Sequence, residues 1–388
     1  MSGVEKTKSE SQLAAINQNA FFKEFTFSKN DFKNEKNNAE QELADNIVWL
    51  DEYCLIFQIK EMSQNSSNYE NWFKNKVMNK AVKQIKNTLQ YFNDYESIII
   101  ENEKGHKLDV KNARECADIK KVIIYSVDEK FPETLRFQKF YSSSTVGYIH
   151  LFHIEDYLHI CKYLITPTEI NEYLDFREDF FEFYKPGADL VPEQYLLGHF
   201  FETPNVDHFN AGYLNNLKDQ YKRKEDFDVS GLIENFKEAI INSTSSVETH
   251  YYPIIKAIAK LHRVELVEFK KRLSIAIEKS EKFEFITPYK MYSSRTECAF
   301  VFIPLHSKNF QHALTALKNY THAIKYDCKS QKAFGVTIYR HPKYLDKIET
   351  GWLYLDYEWV FNEEMEQLLN DDYPFRTTLN KEIKNPYK

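Results

Sequence analysis

The chain has 388 residues, of which 43% are hydrophobic and 28% are charged, and its formal net charge is −7. This length and composition predict two or three globular domains with sizeable cores. The negative charge counts against a protein that binds nucleic acid over its whole surface, although a local basic patch remains compatible with it. No apolar run approaches the roughly 18 residues that a membrane-spanning helix needs, so we expect no membrane partner.

The first residues and the cysteines bear on the cellular compartment. Residues 1–12 lack the apolar stretch of a secretory signal, and the five cysteines show no C-x-x-C spacing. We therefore expect reduced, structural thiols and a cytoplasmic location.

The residues before 45 are predicted to lead into the first domain through an extended segment and a helix. We expect residues 1–17 to be a disordered lead-in and residues 20–33 to be extended. Asn34 or Asn37 is a suitable N-cap for a helix that ends near Ala44 and carries Glu40 and Glu42.

Residues 45–60 predict a β-hairpin with strands over 45–50 and 53–60 and a turn at Asp51 and Glu52. If Leu50 faces Tyr53, Asp45 lies opposite Gln58, and Lys60 follows on the same face. Both faces of the hairpin are otherwise apolar, which indicates a sheet that is covered on both sides.

A polar loop over 62–68 leads into a predicted helix over 69–92. Lys76, Lys80 and Lys83 lie along one face of this helix, and Gln84 follows them. Such a row is suited to contacting phosphates, but a lysine row is also the ordinary pattern of a solvated helix face.

Asp45 is followed by a hairpin strand that carries Gln58 and Lys60, with one residue between them. This combination resembles the core of the PD-(D/E)XK, or restriction-endonuclease-like, nucleases. The resemblance covers roughly residues 18–100. The chain differs from the family pattern because no Pro precedes Asp45 and because Gln58 stands in place of the second acid. The Gln-x-Lys form is similar to the Mrr-type branch of the superfamily.

The resemblance implies an α/β fold and a metal-dependent active site. Asp45, Gln58 and Glu42 would hold Mg²⁺ or Mn²⁺, and Lys60 would help to activate water. Glu42 corresponds to the acid that many members carry on the preceding helix, with Glu40 as a weaker candidate. Gln84 resembles a glutamine found on the following helix in some members.

Further strands are predicted over 97–100, 121–126 and 146–152, and they would end a nuclease domain of residues 18–153. The His150, His153 and His159 group, with Glu155 and Asp156 nearby, matches no standard zinc spacing. We interpret His150 on its strand and His159 on its helix as ordinary, partly buried side chains.

Residues 154–285 predict a helical middle region, which includes a capped helix start at Thr166 and Pro167 and a long helix over 252–279. Glu268 and Lys270 form a literal Glu-x-Lys, but in a helical pattern, so we discard them as a site. Residues 286–388 predict a small C-terminal α/β domain of unknown role, with substrate recognition, a protein partner or a homodimer left open.

The sequence thus predicts a divalent-metal-dependent nuclease that acts on DNA, with RNA not excluded and with restriction or phage defence as its setting by analogy. One alternative is a catalytically degenerate nuclease fold that binds nucleic acid or protein. Another is an unrelated α/β protein in which Lys60 extends its ammonium group to the surface and Asp45 caps a turn.

Overall fold

The computed structural model describes residues 7–33, 40–62, 68–229, 231, 248–344, 346–376 and 385–387. The chain divides into two compact units, Met1–Tyr221 and Lys222–Lys388. A large mixed sheet flanked by helices forms the first unit, and a smaller sheet with its own helices forms the second. The predicted α/β fold class is therefore confirmed.

The described residues of the first unit form ten strands. They are β1 (Thr26–Phe27), β2 (Asp31–Lys33), β3 (Glu40–Glu42), β4 (Asn46–Leu50), β5 (Tyr53–Glu61), β6 (Ile99–Glu101), β7 (Lys107–Asp109), β8 (Ile119–Ser126), β9 (Phe140–Ser143) and β10 (Gly147–His153). The main sheet has the order β1-β4-β5-β8-β10-β9, whereas β2 and β3 form one small sheet and β6 and β7 form another. The strands β5, β8 and β10 run parallel, and the remaining pairs of the main sheet are antiparallel.

The hairpin has the predicted register. Leu50 pairs with Tyr53, and Asn46 pairs with Phe57. Asp51 in the turn has a φ of 49°, a conformation more usual for Gly. Two residues without a Gly therefore suffice for this turn.

The helices of the first unit cover both faces of the main sheet. They are α1 (Lys8–Phe21), α2 (Tyr69–Trp72), a π-helix (Phe73–Ala81), α3 (Val82–Asp94), α4 (Glu133–Arg136), α5 (Ile154–Tyr163), α6 (Pro167–Phe183), α7 (Glu193–Glu202) and α8 (Asn216–Lys222). Short 3₁₀ turns lie at Lys23–Phe25, Lys111–Glu115, Ala188–Leu190 and Ala211–Asn215.

On one face of the sheet, the π-helix and α3 bury Phe73, Val77 and Ile85 against Ile56 and Ile123. On the other face, Phe57 meets Tyr157 of α5, with 5.6 Å between ring centroids. The prediction of a hairpin covered on both sides is confirmed.

Two predictions about the N-terminal segment were wrong. Residues 8–17, predicted as a disordered lead-in, belong to α1, which begins with a capping box between Thr7 and Glu10 and buries Leu13. Glu40 and Glu42 lie on strand β3, paired with Lys33 and Asp31, and not on a helix. The predicted caps Asn34 and Asn37 lie outside the described residues.

The helices after residue 153 pack onto the sheet, so the predicted boundary at 153 falls inside the first unit. Arg177 of α6 is fully buried and donates to the backbone oxygens of Lys139 and Leu151 at 2.9 and 3.1 Å. It also forms an ion pair with Glu193, with 2.8 Å between Nε and Oε1. The predicted helix start at Thr166 is confirmed, since its side chain accepts from Glu169 N–H.

The second unit contains a four-stranded sheet and five helices within its described residues. They are α9 (Lys224–Phe227), α10 (Tyr252–Ala259), α11 (Arg263–Lys279), β11 (Tyr289–Ser293), β12 (Cys298–Pro304), α12 (Ala313–Asp327), β13 (Lys332–Arg340), β14 (Ile348–Asp356) and α13 (Glu363–Asp371), with a 3₁₀ turn at Ser307–His312. β12 and β13 run parallel between antiparallel edge strands.

The core of the second unit lies on both faces of its sheet. Phe269 of α11 meets Phe302 at 5.1 Å between ring centroids, and Leu317 and Ile324 of α12 pack in a second cluster with Val301. The single helix predicted over 252–279 is two helices, because His262 and Glu265 form a capping box that starts α11. Glu268 and Lys270 lie within α11, as predicted for a helical pair.

Candidate functional site

Three predicted site residues meet at the carboxyl end of β5. The Nζ of Lys60 lies 3.2 Å from Asp45 Oδ2 and 3.3 Å from Gln58 Oε1. It also donates to the backbone oxygen of Ile59 at 2.7 Å. A carboxylate, an amide oxygen and an ammonium group therefore share one small space.

The hairpin fixes this arrangement. Side chains alternate between the two faces of a strand, so Gln58 and Lys60 lie on the same face of β5. Asp45 immediately precedes β4. The backbone N–H of Ile59 donates to Asp45 Oδ2 at 2.6 Å, which holds the carboxylate over β5. The side chains of Asp45 and Lys60 are only 5% and 11% exposed, so the ion pair is largely shielded from water.

Burial raises the pKa of Asp45 above its ordinary value. The Lys60 ammonium and the Ile59 N–H oppose this effect, and Glu10 adds to it. The raised pKa means that the folded protein holds a proton on Asp45 more readily than the unfolded chain does.

Glu42 reaches the same neighbourhood from β3. Partial desolvation raises the pKa of Glu42, and the charges of Asp45 and Asp31 raise it further. The side chain remains exposed at the surface, so solvent moderates this effect. Glu42 thus contributes a second carboxylate, although from a strand and not from the predicted helix.

Glu10 is an acid that the sequence interpretation missed. It lies in the first turn of α1, and its charge raises the pKa of both Asp45 and Glu42. Its carboxylate accepts from the N–H of Thr7 at 2.8 Å in the capping box. The Thr-x-x-Glu spacing of that box was the available signal for a helix at this position.

Mg²⁺ and Mn²⁺ prefer oxygen ligands of the kind gathered here. Among the described residues, no hydrogen bond reaches Asp45 Oδ1, so this oxygen is available beside Gln58 Oε1 and the Glu42 carboxylate. Within the same residues, no group of three or more His, Cys, Asp or Glu side chains is arranged to hold a metal ion. The donor chemistry fits a hard cation, but a bound cation would depend on the Gln58 amide and on water.

The lysine row lies on the helical segment that follows β5 in the chain and packs against it. The side chains of Lys76, Lys80 and Lys83 are all exposed, and none forms an ion pair with another described residue. Lys76 and Lys80 belong to the π-helix, a rare conformation that is frequent near functional sites. Gln84 follows on α3, and its Oε1 is buried without a hydrogen-bond partner among the described residues.

The histidine group does not assemble. His150 is fully buried and lies 3.2 Å from Arg177, with its Nδ1 facing the guanidinium. His153 is buried at the end of β10, and His159 is exposed on α5. The prediction that His150 and His159 are partly buried was wrong, since the first is fully buried and the second is exposed.

Comparison with known proteins finds no match of this chain to a protein family, a curated protein or a solved structure. Among the described residues, no helix has the length and apolar character to cross a membrane.

Proposed function

We propose that this chain is a divalent-metal-dependent nuclease of the PD-(D/E)XK type that hydrolyses phosphodiester bonds in DNA. The observation that carries the proposal is the convergence of Asp45, Gln58 and Lys60, with Lys60 Nζ within 3.3 Å of oxygens from both partners. The two apolar strands and the lysine-bearing helical segment after them also agree with what the resemblance implies.

Each residue has a role that follows from its chemistry. Asp45, Gln58 and Glu42 would hold Mg²⁺ or Mn²⁺, which when bound lowers the pKa of water and stabilises charge on the phosphate. Lys60 would orient the attacking water and stabilise negative charge on the phosphate oxygens. The exposed lysine row would hold the nucleic-acid backbone beside the site.

The direct test is cleavage of circular and linear DNA with Mg²⁺ or Mn²⁺, using the wild type, Lys60→Met and Asp45→Asn. We expect both variants to lose at least about 100-fold in rate, the scale on which a positioned acid–base group acts. Lys162→Met is the matched control for Lys60→Met, because it removes an exposed lysine of the same unit that lies outside the lysine row, and it should keep most activity. Wild-type protein without activity on DNA or RNA would contradict the proposal.

A second candidate function is a degenerate nuclease fold that binds nucleic acid or protein without cleaving it. Gln58 favours this alternative, because an amide brings no charge to a metal. Titration with Mn²⁺ separates the two candidates. Gln58→Glu should tighten Mn²⁺ binding if the site is a metal site, and Asp45→Ala should abolish it. Unchanged Mn²⁺ binding in both variants would favour the binding module.

A further inference from the structure

Charge is distributed unevenly between the two units. Residues 1–221 contain 25 Lys or Arg and 35 Asp or Glu, whereas residues 222–388 contain 26 Lys or Arg and 23 Asp or Glu. The second unit therefore has a formal charge of +3 in a chain whose total is −7. A positive unit within a negative chain is suited to an anionic partner.

The acids of the second unit are concentrated in one segment. Residues 356–372 contain seven Asp or Glu and no Lys or Arg, so the rest of the unit has a formal charge of +10. Asp356 pairs with Lys332, the first residue of β13. The acidic segment therefore begins at the amino end of the parallel strands β12 and β13, and the positive charge of the unit lies elsewhere.

The carboxyl end of the same two strands gathers exposed aromatic rings. β12 ends at Pro304 and β13 ends at Arg340. Arg340 Nε donates to Glu281 Oε1 at 3.1 Å, which brings the segment before β11 to this end of the sheet. Ligands of sheets with parallel strands commonly bind beyond the carboxyl ends of those strands. The segments that adjoin this end carry four exposed aromatic side chains: Phe283, Phe285, Phe310 and Tyr344.

Two of these rings are held by neighbouring side chains. The Phe283 ring is 68% exposed and lies 5.3 Å from the His306 ring and 5.1 Å from Lys308 Nζ. The Tyr344 ring is 61% exposed and lies 5.0 Å from the His341 ring. The backbone N–H of Tyr344 also donates to His341 Nδ1 at 3.1 Å. Both rings are therefore supported on one side while most of their surface faces solvent.

Lysines without acidic partners surround these rings. Lys282, Lys308 and Lys343 are exposed, and no carboxylate lies within ion-pair distance of them among the described residues. Their ammonium groups are thus available to an external anion. The exposed acids in the same segments that lack such a pair are fewer, namely Glu284 and Asp346.

We propose that single-stranded nucleic acid binds at the carboxyl end of β12 and β13. The bases would stack on Phe283 and Tyr344, and the phosphates would contact Lys282, Lys308 and Lys343. A single strand fits better than a duplex, because a duplex keeps its bases stacked on one another and offers no free base face to an exposed ring. The proposal does not rest on the nuclease activity, since stacking and phosphate contacts need no metal.

Fluorescence anisotropy of the full chain with labelled oligothymidylate in EDTA tests the proposal, because this probe forms no duplex and EDTA prevents metal-dependent cleavage. Phe283→Ala/Tyr344→Ala should weaken binding by at least about fivefold, the lower end of the loss for one base stack. Phe283→Trp should keep the affinity, because Trp also offers a face for stacking. Lys308→Gln/Lys343→Gln should lower the slope of log affinity against log salt by about 1.4, since each phosphate contact of a single strand contributes about 0.7.

Phe361→Ala is the matched control for the ring variant, because Phe361 is 62% exposed but belongs to the acidic segment. Lys271→Gln/Lys318→Gln is the control for the lysine variant, because both lysines are exposed on helices of the same unit. Both controls should bind oligothymidylate as the wild type does.

An unchanged affinity in the ring variant would assign the binding to the lysine row of the first unit, and the proposal would be lost. Tighter binding of a duplex of the same length would contradict it as well. It would also be overturned if the wild type failed to bind and the ring variant had a lower mass in solution, because the surface would then be a contact between copies of the chain.

Discussion

Asp45 shows how burial and pairing compete at a single residue. Its carboxylate is held by Lys60 and by the Ile59 N–H, two contacts that favour the charged form. The pKa of Asp45 is nevertheless raised, since burial has the larger effect. An ion pair with so little exposure gains little over its desolvation cost.

The stability of the protein should therefore depend on Asp45 with a defined sign. A raised folded pKa gives stability that is present below the unfolded value of 3.8 and is lost as the pH rises through the folded pKa. As the pH rises through that window, the free energy of unfolding of Asp45→Asn should therefore increase relative to that of the wild type. Urea unfolding followed by circular dichroism from about pH 4 to about pH 7 measures it.

Asp109 offers a control of opposite sign. Partial burial acts to raise its pKa, but hydrogen bonds from Ile98 N–H, Lys111 N–H and the Ser97 hydroxyl lower it. Asp109→Asn should therefore lose stability relative to the wild type as the pH rises through the carboxyl range. The same trend in both variants would contradict the assignment for Asp45.

At the scale of the elements, the hairpin was predictable because its signal is local. Strict alternation of side chains fixes the face of Gln58 and Lys60, and the shortness of the turn fixes the pairing of Leu50 with Tyr53. Strand β3 is different. Its residues Glu40–Glu42 are polar and become a strand only by pairing with β2, a contact that no local pattern reveals.

Helix α1 was missed for a related reason. One of its buried positions is Asn17, which breaks the apolar stripe that a helix prediction depends on. Asn17 is satisfied by Asn46 at 2.7 Å and by the Tyr157 hydroxyl at 2.8 Å. Such a buried polar network joins distant parts of the chain, so its members look like surface residues in the sequence.

The lysine row gives the prediction at this scale. Replacement of Lys76, Lys80 and Lys83 together by Ala should weaken DNA binding and lower the slope of log affinity against log salt by about three, because each lost phosphate contact lowers it by about one. The fold should persist, because all three side chains are exposed and Ala favours helix. Fluorescence anisotropy with labelled DNA at several salt concentrations measures the slope.

A triple variant of Lys23, Lys107 and Lys162 is the matched control, because these lysines are also exposed and also belong to the first unit. It changes the net charge equally but leaves the row intact. A slope that falls equally in both variants would indicate a general charge effect and not a contact surface.

At the scale of the whole molecule, charge is divided between distinct surfaces. The net charge is −7, yet the row from Lys76 to Lys83 lies exposed without acidic partners among the described residues. In contrast, six carboxylates, Asp128 and Glu155 among them, line a cleft at the carboxyl ends of β8 and β10. A nucleic acid is therefore expected to approach along the π-helix and not across the carboxyl ends of β8 and β10. Composition alone could not reveal this, since the sum of charges carries no positions.

The division of the chain leads to the last prediction. The sequence change from strands to helices suggested a boundary at residue 153, but α5 and α6 cover the sheet: Tyr157 lies against Phe57, and Arg177 binds the backbone of Leu151. A fragment of residues 1–221 should therefore unfold cooperatively on heating and keep the site of Asp45 and Lys60. A fragment of residues 1–153 would expose one face of the sheet and should aggregate or melt without a cooperative transition. Differential scanning calorimetry of both fragments measures this difference, and cooperative unfolding of the shorter fragment would show that the helices after residue 153 are dispensable for the first unit.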